Sequence, residues 1–354
     1  MSIVKNKYGV NKNGKDVTKY TLKNSNGMEV SFIDLGATIT DIIVPDRDGV
    51  FDDVVLGFDD VSSYENNSTF FGVFVGRFAN RISNAKFVLN DKEYTLDQND
   101  NTNCLHGGYQ RYDYCMYDVE CEEGTDGDSI SFARCSPDGE QGFPGNLDIV
   151  VTYTLNNDDE LIISYHAVSD KDTIINFTNH SFFNLGKGGH KCPNVLEQEV
   201  QIDAHCYTPV DDILIPTGEI KELAGTALDF TEFKKLKDGI GKKDAEGKVI
   251  TGYDHNFVLN ENSGDSARKV AQFRAADSGR IMEVFTDQPG MQLYTAETLN
   301  VDGGRDGTHY GNFGGACFET QNFPDAVNIK NFPDAVLRAG EEFESVTVYR
   351  FKTF

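Results

Sequence analysis

A histidine between two amides is the first residue of this sequence that could carry chemistry. His180 stands in residues 177–186, FTNHSFFNLG, after an alternating apolar run and before a predicted turn. Histidine titrates near ~6.5 and can exchange a proton around neutral pH. On this segment alone, the alternative is a core histidine with a satisfied hydrogen bond, because most histidines do no chemistry.

Glu319 is the candidate partner for that histidine. It stands among small and apolar residues just before a Pro-Asp corner. Desolvation at such a place raises the pKa of a carboxyl group, unless a donor holds the charged form. A salt-bridge role is the alternative at this point.

Four further polar side chains stand where they could reach a polyol. Arg81 follows an apolar run and offers a planar set of donors, and His106 precedes two glycines that permit close backbone approach. Asp254 could accept hydrogen bonds, and Gln292 shares a face of a predicted strand with Tyr294. The alternatives are structural pairing for Arg81, a surface position for His106 and a turn or cap for Asp254.

Other common kinds of active site are missing from the sequence. It has no Ser-His-Asp order, no phosphate-binding glycine loop and no HExxH, and its seven histidines do not cluster. The seven cysteines form no CxxC pair and are odd in number. We therefore expect no metal centre, and free thiols in a reducing cytoplasm. Two glycosylation sequons, at Asn176 and Asn179, also argue against secretion, because a glycan there would fall on the candidate site.

The charge balance limits the choice of partners. The chain of 354 residues has a formal net charge of −25. An acidic chain repels phosphate backbones and anionic lipid, so we expect neither nucleic acid nor a membrane as partner. The sequence shows no secretory signal and no apolar run near the ~18 residues that cross a bilayer.

Strand patterns occur along nearly the whole chain. Residues 147–155 and 161–167 alternate cleanly around a polar turn, which predicts a hairpin with one buried face. Similar hairpins are predicted at 86–96 and 270–286, and short helices at 59–65 and 231–238. We expect one domain over residues 1–354, a large antiparallel sandwich whose site residues come from distant parts of the sequence.

Seven segments, in order along nearly the whole chain, carry a family resemblance. They are GRFANRI, LHGG, SPDGEQGFPG, TNHSFFNLG, DHNFVL, PGMQLYT and FETQNFPDAVN. Any one of them is weak, but seven in order are specific. Together they resemble the aldose 1-epimerases, or galactose mutarotases.

The resemblance implies a fold, an activity and a set of site residues. The fold is an all-β, large antiparallel super-sandwich, and the activity interconverts the α and β anomers of hexoses such as galactose and glucose without cofactor or metal. Glu319 would be the general base and His180 the general acid. The substrate is a small-molecule aldose, and we expect a monomer or weak homodimer. The residues expected at the sugar are Asn80, Arg81, His106, Ser181, Phe182, Asp254 and Gln292.

Two departures and two other interpretations accompany this assignment. Phe182 stands where family members usually carry Tyr, and Ala339 where Pro is common. A lectin-like module with little turnover would use the same sandwich. An epimerase of phosphorylated hexoses would need a cationic pocket, for which this region offers Arg77 and Arg81.

Overall fold

The regular structure is almost entirely β. The computed structural model describes residues 2–66, 68–260 and 266–354. Within these ranges the strands are, in chain order, β1 Ser2–Val10, β2 Asp16–Lys23, β3 Glu29–Ile33, β4 Thr38–Pro45, β5 Phe51–Asp53, β6 Val73–Val75, β7 Arg81–Ile82, β8 Lys86–Leu89, β9 Lys92–Thr95, β10 Cys104–Leu105, β11 Asp118–Glu122, β12 Gly127–Ser136, β13 Leu147–Asn156, β14 Glu160–Ser169, β15 Thr173–Ile174, β16 Thr178–His180, β17 Glu199–Ile202, β18 Ala204–Thr208, β19 Lys221–Glu222, β20 Lys234–Lys235, β21 Asp254–Leu259, β22 Arg268–Arg274, β23 Arg280–Thr286, β24 Gly290–Tyr294, β25 Cys317–Gln321, β26 Val336–Leu337 and β27 Glu342–Thr353.

Helical structure is confined to short segments. One α-helix, α1 Val61–Glu65, begins after Asp60, whose side chain accepts from the backbone N–H of Ser63. Within the described ranges, no helix has the length and apolar character needed to cross a bilayer. The 3₁₀ helices are Ser83–Ala85, Tyr112–Tyr114, Glu140–Gly142, Gly189–Lys191, Leu236–Asp238 and Arg305–Gly307.

Three large sheets form the body of the described chain. A nine-stranded sheet has the order β11-β12-β13-β14-β27-β23-β22-β17-β20, and two five-stranded sheets have the orders β1-β2-β3-β4-β5 and β19-β18-β21-β24-β25. Every ladder between these strands is antiparallel. This confirms the predicted class, an all-β fold of large antiparallel sheets.

The alternating sequence patterns gave the hairpins correctly. Strands β13 and β14 pair from Leu147 with Ser169 to Leu155 with Leu161, and the alternate residues of β13 are buried. The pairs β8–β9 and β22–β23 likewise match the predicted hairpins. Period-two alternation succeeds here because one face of each strand lies against the core.

The prediction of a helix over 231–238 is wrong. The structure forms β20 at its centre and a 3₁₀ turn after it. Lys235 pairs with Glu199 of β17, and the ammonium group of Lys234 donates to the carbonyls of Ala227 and Asp229. These contacts satisfy the segment without a helix, because strand pairing and side-chain donors replace the local backbone bonds.

Aromatic contacts tie the three sheets together. Phe32 of β3 lies 4.5 Å from the ring of Tyr153 of β13, and Phe273 of β22 lies 5.1 Å from Phe318 of β25. Each such buried ring contributes about 1.5–3 kcal/mol relative to an exposed one. The core therefore reaches to the back of the strand that carries Glu319.

Strand β25 has two buried faces with different surroundings. Phe318 and Thr320 face the nine-stranded sheet, where the carbonyl of Phe318 accepts from Tyr349 and Thr320 shares a hydrogen bond with Thr347. Successive side chains of a strand point to opposite faces, so Glu319 points away from that core.

Candidate active site

A cavity of about 440 Å³ opens on the face of β25 that carries Glu319. Its wall includes strand residues, the segment before β6, residues at the ends of β7 and β10, and a loop before Arg305. It is lined by Asn66, Ser68, Thr69, Phe70, Asn80, Arg81, Leu105, His106, His180, Phe182, Asp254, Tyr294, Thr298, Leu299, Asn300, Val301 and Glu319.

Three adjacent strands bring distant side chains to this face. Asp254 of β21 pairs with Tyr294 of β24, which pairs with Cys317 of β25. Two residues away along β24 and β25, Gln292 pairs with Glu319. Directly paired residues and residues two apart on a strand share a face, so all five side chains project toward the same side.

His180 reaches the cavity from a different strand pair. It ends β16, which pairs with β6 so that His180 lies opposite Val73. Its Nε2 lies 3.6 Å from Oε1 of Glu319, and its ring centroid lies 5.3 Å from that of His106. The two residues that the sequence predicts as acid and base, 139 positions apart, therefore lie side by side in the cavity wall.

Glu319 is buried without a matching donor for one of its oxygens. The residue is 2% exposed, and Oε2 has no hydrogen-bond partner among the described residues. Burial raises its pKa well above the usual value, and the nearby charge of Asp254 adds to this, while Arg81 opposes it. The carboxylate, once ionised, is therefore a stronger base than glutamate in water.

The pKa of His180 is shifted in the opposite direction from that of Glu319. Burial lowers its pKa to about 4, with a further lowering by Arg111, while its own backbone carbonyl opposes the shift. The imidazolium form, once it exists, is therefore a stronger acid than histidine in water. Rings surround the imidazole: Phe70, Phe182 and Tyr294 have centroids 5.6, 5.0 and 6.2 Å away.

A polar network lies beside the pair. The amide of Gln292 donates from Nε2 to Oδ1 of Asp254 at 2.6 Å, and Oδ2 of Asp254 lies 3.9 Å from the guanidinium of Arg81. Arg81 also donates from Nε to Asp100 at 2.7 Å. Gln292 itself is not among the lining residues, and it meets the cavity through Asp254. This network fixes the orientation of groups that can bind hydroxyls.

His106 and Asn80 are positioned by a backbone hydrogen bond and by unusual backbone angles. Nδ1 of His106 accepts from the backbone N–H of Asn80 at 3.2 Å, and both residues have positive φ, 50° and 63°. Burial, first of all, lowers the pKa of His106 well below its usual value, so the ring is neutral. A neutral ring that accepts at Nδ1 carries its proton on Nε2, which makes that nitrogen a donor.

Ser181 and Phe182 have different positions. The hydroxyl of Ser181 donates to Oδ1 of Asn179 at 2.7 Å, and Ser181 is not among the lining residues. Phe182 lines the cavity, and its ring lies 4.9 Å from Phe71 and 5.9 Å from Tyr294.

Arg77 lies outside the cavity and has a structural role. Arg77 is 1% exposed. Its guanidinium donates to the carbonyls of Pro144 and Gly145 and to the hydroxyl of Ser136. It thereby ties the GRFANRI segment to the SPDGEQGFPG segment. Of the two arginines considered for a phosphate pocket, Arg81 alone lines the cavity.

The comparisons with known proteins decide the family. Residues 18–350 match the sequence model of the family described as Aldose 1-epimerase. The chain is 44% identical over 341 residues to a galactose mutarotase of Mus musculus, covering 96% of this chain and 95% of that protein. The chain belongs to the aldose 1-epimerase family.

Two more distant relatives agree over the full length. An aldose 1-epimerase of Escherichia coli K12 is 35% identical over 340 residues, with 96% of each chain covered. The crystal structure of a galactose 1-epimerase from Lactobacillus acidophilus superposes with a TM-score of 0.86 at 29% identity, over 99% of each chain. This member of the family is thus an isomerase that acts on an aldose sugar.

In this aldose 1-epimerase, the arrangement of His106, His180 and Glu319 also resembles a metal-binding set. Each offers one ligand-type atom, and these atoms lie within 4.8 Å of one another. However, Nδ1 of His106 already accepts from Asn80 and its Nε2 carries the proton, so neither nitrogen has a free lone pair. The two nitrogens of His106 are therefore committed to hydrogen bonding and not available to a metal.

Three features of this epimerase site were missed in the sequence. Phe70 has a positive φ of 61° and its ring lies 4.8 Å from His106, which nothing in its sequence surroundings indicates. Residues 298–301 form a wall from a loop without a periodic pattern. Cys317 contacts His180, and its spacing of two from Glu319 was a usable signal, although no strand was predicted for this segment.

Proposed function

We propose that this chain interconverts the α and β anomers of hexoses such as galactose and glucose, with Glu319 as general base and His180 as general acid. One observation carries the proposal: a buried carboxylate with an unpartnered oxygen lies 3.6 Å from a buried imidazole at the wall of a cavity. The volume of about 440 Å³ accommodates a hexose.

The closeness of acid and base matches the chemistry. The anomeric hydroxyl and the ring oxygen are both bonded to C1, so the two protons that move belong to neighbouring atoms. Glu319 takes the proton of the anomeric hydroxyl, the C1–ring oxygen bond breaks, and Nε2 of His180 protonates the departing oxygen. The aldehyde then rotates about its C1–C2 bond and recloses on its other face, with both transfers reversed.

Burial makes both proton transfers easier. Before ring opening the pair is a carboxylate and an imidazolium, and after it the pair is a carboxylic acid and a neutral imidazole. A water-poor site disfavours the two charged forms, in agreement with the raised pKa of Glu319 and the lowered pKa of His180. The site therefore favours the protonation state that accompanies the open aldehyde.

The remaining polar side chains hold the sugar hydroxyls in this proposal. Arg81 and the Nε2 proton of His106 donate, Asp254 accepts, and Asn80 offers an amide. Gln292 acts through its hydrogen bond to Asp254. Their contribution is orientation, because a held ring keeps the anomeric group against the acid–base pair.

Ser181 and Phe182 have separate roles in the proposal. Ser181 steadies the turn after His180 through Asn179, and contacts the sugar at most through its neighbours. Phe182 packs against the ring of His180 and lines the cavity without a hydroxyl. The sugar contact or supporting contact of the usual tyrosine would then be absent, so Phe182 is where we expect an altered sugar preference.

Several features support the proposals for the chain as a whole. We propose one domain over residues 1–354, a monomer or weak homodimer, and a cytoplasmic location. The seven cysteines, all within the described ranges, form no disulfide. Asn176 and Asn179 of the two sequons are buried, so a glycan on either would disrupt the site.

Polarimetry tests the activity directly. The purified protein should accelerate the decay of optical rotation of freshly dissolved α-galactose and α-glucose over the spontaneous rate. Glucose 6-phosphate should be a poorer substrate, because Arg81 is already engaged with Asp100 and Asp254. Sugar binding in a calorimeter without rate enhancement would contradict the proposal and favour a lectin-like module.

A further inference from the structure

The ring of His180 lies between two side chains of the same strand. Sγ of Cys317 lies 3.6 Å from Nδ1, and Oε1 of Glu319 lies 3.6 Å from Nε2. A contact of this length is a weak hydrogen bond for sulfur. Cys317 and Glu319 are two apart on β25, so one face of one strand addresses both nitrogens of the imidazole.

Cys317 is unsuited to chemistry of its own. The residue is fully buried and packs in an apolar cluster with Leu56, Phe71 and Phe182. Burial raises the pKa of its thiol well above the usual value, with a further contribution from Glu319. A buried, protonated thiol is a poor nucleophile and is inert toward oxidation. Its contact with His180 is therefore the property that can matter for the reaction.

We propose that Cys317 is a positioning residue whose sulfur accepts a hydrogen bond from Nδ1–H of His180 and thereby favours that tautomer. This inference rests on the proposed role of His180 as general acid. A group that gives and regains a proton at Nε2 must keep the other proton at Nδ1 in both states. The sulfur accepts the hydrogen bond from Nδ1–H, which leaves Nε2 facing Glu319 and the sugar.

The weakness of sulfur as an acceptor suits an acid. In the serine protease triad a carboxylate accepts from Nδ1 and stabilises the imidazolium, which makes that histidine a better base. A strong acceptor next to His180 would likewise hold its proton more tightly. The thiol orients the ring while leaving the imidazolium acidic, in the same direction as the effect of burial.

Two substitutions separate positioning from packing. Cys317→Val fills the apolar site and removes the sulfur, which leaves the backbone carbonyl of His180 as the acceptor near the ring. We expect kcat to fall about 10-fold with KM unchanged. Cys317→Ser restores an acceptor stronger than sulfur, so most of kcat should return. The acid limb of the kcat–pH profile should lie at higher pH in Cys317→Ser than in the wild type, because the hydroxyl stabilises the imidazolium.

Nitrogen NMR of isotopically labelled histidine reports the tautomer itself. The signals of His180 are identified by their loss in His180→Asn. We expect the Nδ1–H form at neutral pH in the wild type and in Cys317→Ser, and a mixture of tautomers in Cys317→Val. An Nε2–H form in the wild type would overturn the inference.

The outcomes distinguish this inference from the proposed function. If His180→Asn keeps a near-native rate, the acid role fails and the positioning role with it. If His180→Asn is inactive but Cys317→Val matches the wild type in kcat, tautomer and acid limb, the positioning role alone is wrong. Urea unfolding of each variant shows whether a loss of kcat comes from a loss of folded protein.

Discussion

Nε2 of His180 lies 3.6 Å from Oε1 of Glu319, and this separation exceeds an ordinary hydrogen bond. The two groups are thus neighbours without being fixed partners, which leaves room for atoms of a substrate to engage both. An ion pair with tight geometry would instead hold each charge in place. The gap is the geometry expected of a pair that works on adjacent oxygens.

Removing either member of the pair should abolish most of the catalysis. Glu319→Gln and His180→Asn keep the approximate shape of each side chain but cannot exchange the proton. We expect kcat to fall by roughly 10²–10⁴-fold in each, the usual contribution of a positioned acid or base. The double variant should be little worse than either single variant, because the two groups act as a unit. Near-native polarimetric rates in either single variant would show the assignment to be wrong.

The pH dependence of kcat/KM should be bell-shaped with a low acid limb. The active pair carries one proton. A second proton adds as pH falls through about 4, the lowered pKa of His180, and the single proton leaves at a pH well above the usual pKa of glutamate. Spontaneous mutarotation must be subtracted at each pH. An acid limb near the ordinary histidine value of about 6.5 would contradict this expectation.

Asp254→Asn should change both sugar affinity and the alkaline limb. The charge of Asp254 raises the pKa of Glu319, so its removal should move the alkaline limb to lower pH. Loss of a charged acceptor should also raise KM about 10-fold. Asp212→Asn is the matched control, since its side chain is 94% exposed and pairs with Lys248. Equal pH profiles for the two variants would refute the electrostatic role.

Arg77→Met should unfold more easily while keeping its active site. The buried guanidinium donates to the carbonyls of Pro144 and Gly145. In the variant these buried carbonyls lose their donor, which should lower the free energy of unfolding by roughly 1–3 kcal/mol for each carbonyl. Arg338→Met, at a half-exposed ion pair with Asp172, should cost less than about 1 kcal/mol. Urea unfolding measures both. If Arg77→Met kept its stability but lost its activity, the role assigned to Arg77 would be mistaken.

The sequence predicted those features that depend on period-two alternation or on ordered motifs. The hairpin around residues 156–160 follows from alternation, because one face of each strand meets the core. In β25 alternation puts Cys317 on the same face as Glu319, but this strand was not among those predicted, so the contact of the thiol with His180 was missed. The structural role of Arg77 could not be predicted from its neighbours in sequence, because its hydrogen-bond partners lie in the segment 136–145.

Other features depend on contacts that no local pattern carries. Phe70 adopts a positive φ of 61° in a cavity wall, a conformation that its neighbours in sequence do not indicate. The segment 231–238 has helical composition, yet pairing with β17 and donation by Lys234 prevail. Tertiary contacts of this kind override local propensity because they satisfy more backbone groups.

The alternating side chains of β25 fix the position of Glu319 relative to the core. Phe318 and Thr320 are packed on one side and Glu319 stands on the other, so the base cannot shift without disturbing the core. Deletion of Phe318, within β25 itself, would move Glu319 into the position that faces the nine-stranded sheet. The carboxylate would then lie against Phe273 in the core and the cavity would lose its base, so a single lost codon would remove activity and stability together.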